Sequence, residues 1–299
     1  MSTLIVLIGP TGVGKTELSL QLAKEYASPI FSCDSRQIYK ELKIGTAKPS
    51  DEQLAIVKHY FIGSKSIEEY YSAGQYELDA IPLLENEFKS HNVLLLVGGS
   101  MLYVDAICKG IDDIPTVDAE LRTELQQYYI EHGIEALRRR LYLLDKEHYK
   151  QVDLNNAKRI LHAIEICTMT GKTFTELRTN PHKTRSFNIL KIGLERPREE
   201  LYERINQRVL QMMNDGLEEE VRNLYTQREL NALNTVGYKE LFNYFEGKWS
   251  REFAINMIQQ NTRRYAKKQL TWFKRDDAIN WFHPDNKENI MRFVRMHIA

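Results

Sequence analysis

The chain opens on an unbroken apolar run, TLIVLIG at 3–9, and then changes period. From Lys15 the stretch KTELSLQLAKEY places Leu18, Leu22 and Tyr26 on one stripe, which predicts a helix directly after a strand. Two further apolar runs, PIFSCDS at 29–35 and NVLLLVGGS at 92–100, read as strands. The second of these is apolar at every central position, as a buried strand of a parallel sheet is. Residues 1 to about 110 therefore alternate strands with helices. FNILKIGLE, from 187, predicts another core strand, AINWF at 278–282 a short one, and the pattern from 198 onward is otherwise helical.

Between these parts the character differs. IDDIPTVDAELRTELQQYY begins a run with helical periodicity and no strand signal that continues to about 180, bracketed by Pro115 and Pro181. With the phosphate-loop pattern GPTGVGKT at the end of the first run, this predicts an α/β protein with a P-loop NTPase-like parallel sheet core, 1–112 and 186–299, and an inserted helical domain, 113–185. In open parallel sheets ligands bind beyond the carboxyl ends of the strands. Three segments are expected at that edge: 9–16, Asp34–Ser35 and Gly98–Gly99–Ser100.

Composition adds bounds. The 299 residues suit one large core with an insertion, or two domains. Formal net charge is zero, so a polyanion would meet a local basic patch and not a basic molecule. Cys33, Cys108 and Cys167 are far apart in sequence, which argues against a CxxC metal site or a disulfide framework and for a reducing, cytoplasmic setting. The first apolar run is too short for a membrane span and lacks the flanks of a signal peptide. No obligate protein partner is called for, and a monomer is expected.

GPTGVGKT, residues 9–16, fits G-x-x-x-x-G-K-[ST] between a strand and a helix. Gly9, Pro10, Thr11, Gly12, Val13, Gly14, Lys15 and Thr16 are the candidate phosphate cradle. Its backbone N–H groups and the helix N-terminus face an anion, Lys15 neutralises the outer phosphate, and the Thr16 hydroxyl is placed for Mg²⁺. The loop predicts a phosphorylated ligand bound with Mg²⁺; it does not predict hydrolysis. In many nucleotide hydrolases the buried strand ends in an acid that helps hold the metal, whereas VLLLV here ends in GGS. That speaks against a motor-type ATPase and leaves a small-molecule or nucleotide kinase open.

DSRQIY at 34–39 puts an acid, a hydroxyl, a cation and an amide at a strand's exit. Asp34 reads either as a general base facing substrate or as the N-cap of the next helix. GTAKP at 45–49 reads as turn chemistry or as a phosphate contact. RRYAKKQLTWFKR at 263–275 carries six Lys/Arg and no acid, with Tyr265, Trp272 and Phe273 interleaved. Arg264, Lys267, Lys268 and Arg275 share roughly one helical face. They form a solvated face over an aromatic core, or a surface for nucleic acid. Arg204 and Arg208 stand one helical turn apart and read as a phosphate clamp or as salt-bridge partners of nearby acids. LRRRL at 137–141 and KRILH at 158–162 add cations in the insertion. His59, His91 and His162 are isolated, without metal-ligand spacing.

Taken in order, GPTGVGKT, SCDSRQIYKELKIGTAKP, LLVGGSMLY, TVGYKELFNYFEG and TRRYAKKQLTWFKR resemble the tRNA dimethylallyltransferases (tRNA isopentenyltransferases) of bacterial type, over essentially the whole chain. The resemblance implies that the loop holds the diphosphate of dimethylallyl diphosphate with Mg²⁺. It implies transfer of the prenyl group to N6 of the adenosine 3′ to the anticodon, with the insertion and the basic C-terminal region on the anticodon stem-loop. By matched position, Asp34 is the base on the adenine amine, and Lys15 and Thr16 meet diphosphate and metal. Arg208 meets the leaving diphosphate. Ser35, Arg36, Gln37, Ser100, Arg122, Lys158, Arg159, His162, Arg264 and Lys268 fall at tRNA-contacting positions. Ser100 stands where Thr is common, His162 replaces an arginine of the insertion motif, and Lys268 replaces one in KRQ.

Overall fold

The computed structural model describes residues 2–179 and 182–298. It divides into two compact units, one made of the residues up to Cys108 together with those from Arg185 onward, the other Lys109–Thr184. From the sequence pattern alone these limits fall at 113 and 185. Pro181, its second bracket, lies outside the described residues.

The larger unit is built on a six-stranded parallel sheet of β1 (Thr3–Ile8), β2 (Ile30–Cys33), β3 (His59–Tyr60), β4 (Val93–Gly98), β5 (Asn188–Leu194) and β6 (Asn280–Phe282), in the order β3-β2-β4-β1-β5-β6. Its early helices are α1 (Lys15–Glu25), α2 (Asp51–Ile56), α3 (Ala73–Glu87) and α4 (Met101–Cys108). The smaller unit supplies α5 (Ala119–Leu144), α6 (Lys146–Gln151), α7 (Ala157–Thr170) and α8 (Phe174–Leu177). The larger unit resumes with α9 (Arg198–Asn214), α10 (Leu217–Asn223), α11 (Tyr238–Phe245), α12 (Arg251–Phe273) and α13 (Lys287–Ile298).

The continuous apolar strands follow from burial on both faces of the sheet. Leu4, Val6 and Ile8 of β1 join Leu94 and Leu96 in one core, while Ile5 and Leu7 join Val93 and Leu95 in a second. Side chains alternate along a strand, so a one-residue slip of β1 would exchange its two sets. β3 was not foreseen: it is only two residues long and pairs Ile30 with His59, too short to carry a period.

In the smaller unit Leu125, Leu137 and Leu141 of α5 pack with Ile160, Leu161 and Ile164 of α7. The helical run begins later than the sequence suggested. Residues 110–118 form no regular element, and Asp118 caps α5 through bonds from the Glu120 and Leu121 N–H groups. α5 breaks at Gly133, whose φ of 72° lies in the left-handed region. Among the described residues no helix is long and apolar enough to cross a membrane.

Candidate active site

Ile8 and Cys33 both pair with Gly98, so β1, β2 and β4 end level with one another. The loops leaving them, which carry the three predicted segments, therefore start from one sheet edge. Gly12 (φ 80°) and Gly14 (φ 113°) take left-handed backbone that turns the loop into α1, with Gly14 as its N-cap. Val13 is buried and roots the loop in the core.

Lys15 Nζ donates to the carbonyls of Gly9 and Pro10, both at 2.9 Å. Burial lowers its pKa to about 8; Asp34 opposes that shift and the nearby Arg208 adds to it. Thr16 is exposed, and its hydroxyl takes no hydrogen bond among the described residues. The rest of the loop is gripped by the protein. The Thr11 N–H donates to Gln269 Oε1 at 2.9 Å, Arg204 Nε donates to the Gly12 carbonyl at 3.0 Å, and Arg196 Nε to the Val13 carbonyl at 2.9 Å. Arg196 is itself held by Glu200 and by Asp285.

Asp34 uses one oxygen for the fold. Oδ1 accepts from the N–H groups of Arg36 (2.9 Å) and Gln37 (3.3 Å), while Oδ2 takes no hydrogen bond among the described residues. The capping reading is corrected: what Asp34 caps is a turn, because no helix opens after β2, and Oδ2 is left open. Ser100 is buried, and its Oγ accepts from the Ser35 N–H at 2.8 Å and donates to Ser35 Oγ at 3.1 Å. It thus ties the exit of β4 to the exit of β2, with its hydroxyl already engaged. Arg36 reaches the Asn231 carbonyl at 3.2 Å. Gln37 Nε2 donates to the carbonyls of Thr46 and Ala47, both at 3.0 Å, so its amide nitrogen tethers the GTAKP loop. That loop is gripped in turn by Glu220, which accepts from the N–H groups of Lys43, Ile44 and Gly45 and from Tyr238 Oη at 2.6 Å. GTAKP is turn chemistry in this structure.

Arg208 is half-buried, and among the described residues it forms neither an ion pair nor a hydrogen bond. Burial lowers its pKa, the charge of Asp34 acts against that, and Arg204 adds to it. The salt-bridge reading of this arginine pair therefore fails: Arg204 holds the loop backbone and Arg208 is uncommitted beside Lys15 and Asp34. Tyr265 borders the same acid. Burial and the charge of Asp34 push its hydroxyl up to about 12, against Arg36 and a hydrogen bond with Ser100.

Arg264, Lys267 and Lys268 on α12, and Arg275 just past its end, are exposed. Lys267 and Lys268 have no acid partner among the described residues. Trp272, by contrast, donates from Nε1 to Asp105 Oδ2 at 2.9 Å and packs on the core. Within the helical unit, Lys158 and Arg159 are exposed and form no ion pair among the described residues. Arg122 Nε lies 3.2 Å and His162 Nδ1 3.5 Å from the buried Glu165. Burial works to raise the pKa of Glu165, but His162 and Arg122 outweigh it and the net shift is downward. Those two side chains are thus engaged by one carboxylate.

Gln269, Arg196 and Glu220 were not singled out from the sequence. For Gln269 a signal existed. Ala266, Gln269 and Phe273 lie on one buried stripe of α12, and a polar residue on such a stripe must be hydrogen-bonded. Arg196 and Glu220 work through contacts remote in sequence that no local pattern carries.

The donors at the loop fit a magnesium ion that arrives with a diphosphate. Mg²⁺ keeps several waters and takes few protein oxygens besides phosphate, and the open Thr16 hydroxyl offers one. The Glu200–His283–Asp285 group, within 4.8 Å, is instead the ion-pair shell of Arg196.

Known proteins agree with this architecture. The family model described as IPP transferase matches residues 37–276. The chain is 60% identical to tRNA dimethylallyltransferase 1 of Bacteroides fragilis, covering 99% of this chain and 98% of that one. Among solved structures, the tRNA isopentenylpyrophosphate transferase of Bacillus halodurans aligns with a TM-score of 0.72 at 33% identity, covering 100% of this chain and 97% of that one. The tRNA delta(2)-isopentenylpyrophosphate transferase of Staphylococcus epidermidis aligns at 0.71 and 32%, covering 99% and 100%. A glycine-rich loop at the exit of β1, an acid at the exit of β2 and an arginine electrostatically coupled to both Lys15 and that acid are thus set in a chain that belongs to the IPP transferase family.

Proposed function

We propose that this enzyme transfers the dimethylallyl group of dimethylallyl diphosphate to N6 of the adenosine 3′ to the anticodon in tRNA, releasing diphosphate. The observation that carries this reading is Asp34 with one oxygen open, electrostatically coupled to two cations, Lys15, which is held on the loop carbonyls, and Arg208, which has no partner among the described residues. A base beside an anion cradle is what displacement of a diphosphate by an amine requires.

The adenine amine is a weak nucleophile because its lone pair is delocalised into the ring. The allylic carbon compensates by carrying partial cationic character as the C–O bond opens. The growing charge on the leaving diphosphate is met by the loop N–H groups, the α1 N-terminus, Lys15 and Arg208. A bound Mg²⁺, held by Thr16, would add Lewis-acid stabilisation of that charge. Asp34 Oδ2 orients the amine and accepts its proton, while Oδ1 stays fixed in the turn. Both reactants are held by one rigid edge, which replaces a bimolecular encounter with a positioned one. The base must leave its stack to reach the edge, and a loop nucleotide does so at low cost. Lys158, Arg159, Arg264, Lys267 and Lys268 supply backbone contacts to the stem-loop.

The test is transfer of label from dimethylallyl diphosphate, with Mg²⁺, to an unmodified anticodon stem-loop and to one with guanosine at the target position. Label is expected in the first RNA alone. Equal label in both, or none in either, overturns the proposal.

A further inference from the structure

Gln269 is 3% exposed and uses both ends of its amide. Oε1 accepts from the Thr11 N–H of the phosphate loop at 2.9 Å. Nε2 donates to the Gly99 carbonyl, just past β4, at 2.8 Å. The next residue, Ser100, holds Ser35 at 2.8 Å, and Ser35 follows Asp34 directly. A chain of hydrogen bonds therefore runs Thr11, Gln269, Gly99–Ser100, Ser35–Asp34, from the anion cradle to the acid. Gly99 keeps this link short: a Cβ there would lie 2.4 Å from Gln269 Nε2.

We infer that Gln269 is a positioning residue that fixes the separation between the diphosphate loop and Asp34, and so the alignment of leaving group and amine for in-line transfer. This rests on the transferase reading above. Gln269 touches neither reactant; it acts on the rate of transfer through Thr11 and Ser100. An amide serves in this place at every pH, because one neighbour is a donor and the other an acceptor and the amide offers both complements without titrating.

Gln269→Glu tests this. Its carboxylate still accepts from Thr11, but the second oxygen faces the Gly99 carbonyl with no proton to offer. Burial raises the pKa of such a group, and once protonated the acid donates to Gly99 as the amide does. We expect kcat for transfer to fall roughly tenfold to a hundredfold at pH 8, the order of one broken buried hydrogen bond. RNA Kd should stay within about twofold. The ratio of variant to wild-type kcat should climb back as pH falls, because the introduced carboxyl gains its proton; dividing by wild type removes the protonation of Asp34. Gln269→Met, which keeps shape and loses both bonds, should show the low kcat at every pH, with no recovery. A Gln269→Glu ratio that stays near one, or stays low and flat with pH, overturns the inference. Should Gln269→Glu not fold by circular dichroism, Gln269→Met decides: a folded protein with kcat within about twofold of wild type overturns it, and a folded one with the tenfold loss at unchanged RNA Kd supports it. An inactive wild type measured alongside would instead strike the transferase reading.

Discussion

Arg208 is the place where function and stability should separate. It is half-buried, carries a full charge, and among the described residues has no counter-ion in contact and no hydrogen bond. A buried cation without a partner costs free energy, and its replacement by an apolar side chain of similar length is neutral or stabilising. The guanidinium keeps some access to water, so the relief from Arg208→Met is about 1 kcal/mol. In a chain of this size that corresponds to a rise in Tm of roughly 2–4 °C. The catalytic effect runs the other way. Loss of one preorganised charge on a developing anion costs a factor of about 10² to 10³ in kcat. Ligand linkage gives a second readout: diphosphate at a hundred times its Kd should stabilise wild type by about 2.7 kcal/mol and the variant by much less. The assay is a thermal melt with and without Mg²⁺–diphosphate, beside single-turnover transfer to the stem-loop. A fall in Tm with transfer largely retained would refute the reasoning and make Arg208 a structural residue.

Asp34→Asn keeps the turn acceptor Oδ1 and removes the base, so it should retain RNA binding in a filter assay and lose transfer by about 10² to 10⁴; turnover near wild type would remove the acid from the mechanism. The Lys15 pKa of about 8 sets a pH limit on the free enzyme: the ammonium is present below that value and lost above it, so KM for dimethylallyl diphosphate should rise as pH passes upward through 8, whereas a flat KM to pH 9.5 would contradict it. Glu220→Gln turns one of two acceptor oxygens into a donor facing N–H or O–H groups, and should cost about 2 kcal/mol in urea unfolding while raising hydrogen exchange at residues 43–47; protection unchanged there would show that the carboxylate does not hold the loop.

What the sequence disclosed was what is local. Apolar runs and the glycine pattern of 9–16 located the strands and the phosphate loop, because each is written in adjacent residues. Asp34 stood out for the same reason, at the end of a strand. Which of its oxygens is committed needs coordinates, since only geometry shows that Oδ1 is spent and Oδ2 takes no hydrogen bond among the described residues. The same limit applies to Ser100 and Gln37, whose hold on Ser35 and on the 46–47 carbonyls no local pattern shows. Glu220 meets Gly45 across 175 positions and Gln269 meets Thr11 across 258, and no periodicity links residues so far apart. The two-residue β3 was invisible because a strand needs several alternations before it has a pattern.

The most direct measurement is the stoichiometry of the reaction: moles of diphosphate released against moles of stem-loop prenylated, in Mg²⁺ and without any nucleotide triphosphate. One diphosphate per modified RNA is expected, with added ATP neither required nor consumed. Phosphate transferred from ATP, with no prenyl group on the RNA, would contradict it and identify the loop as that of a kinase.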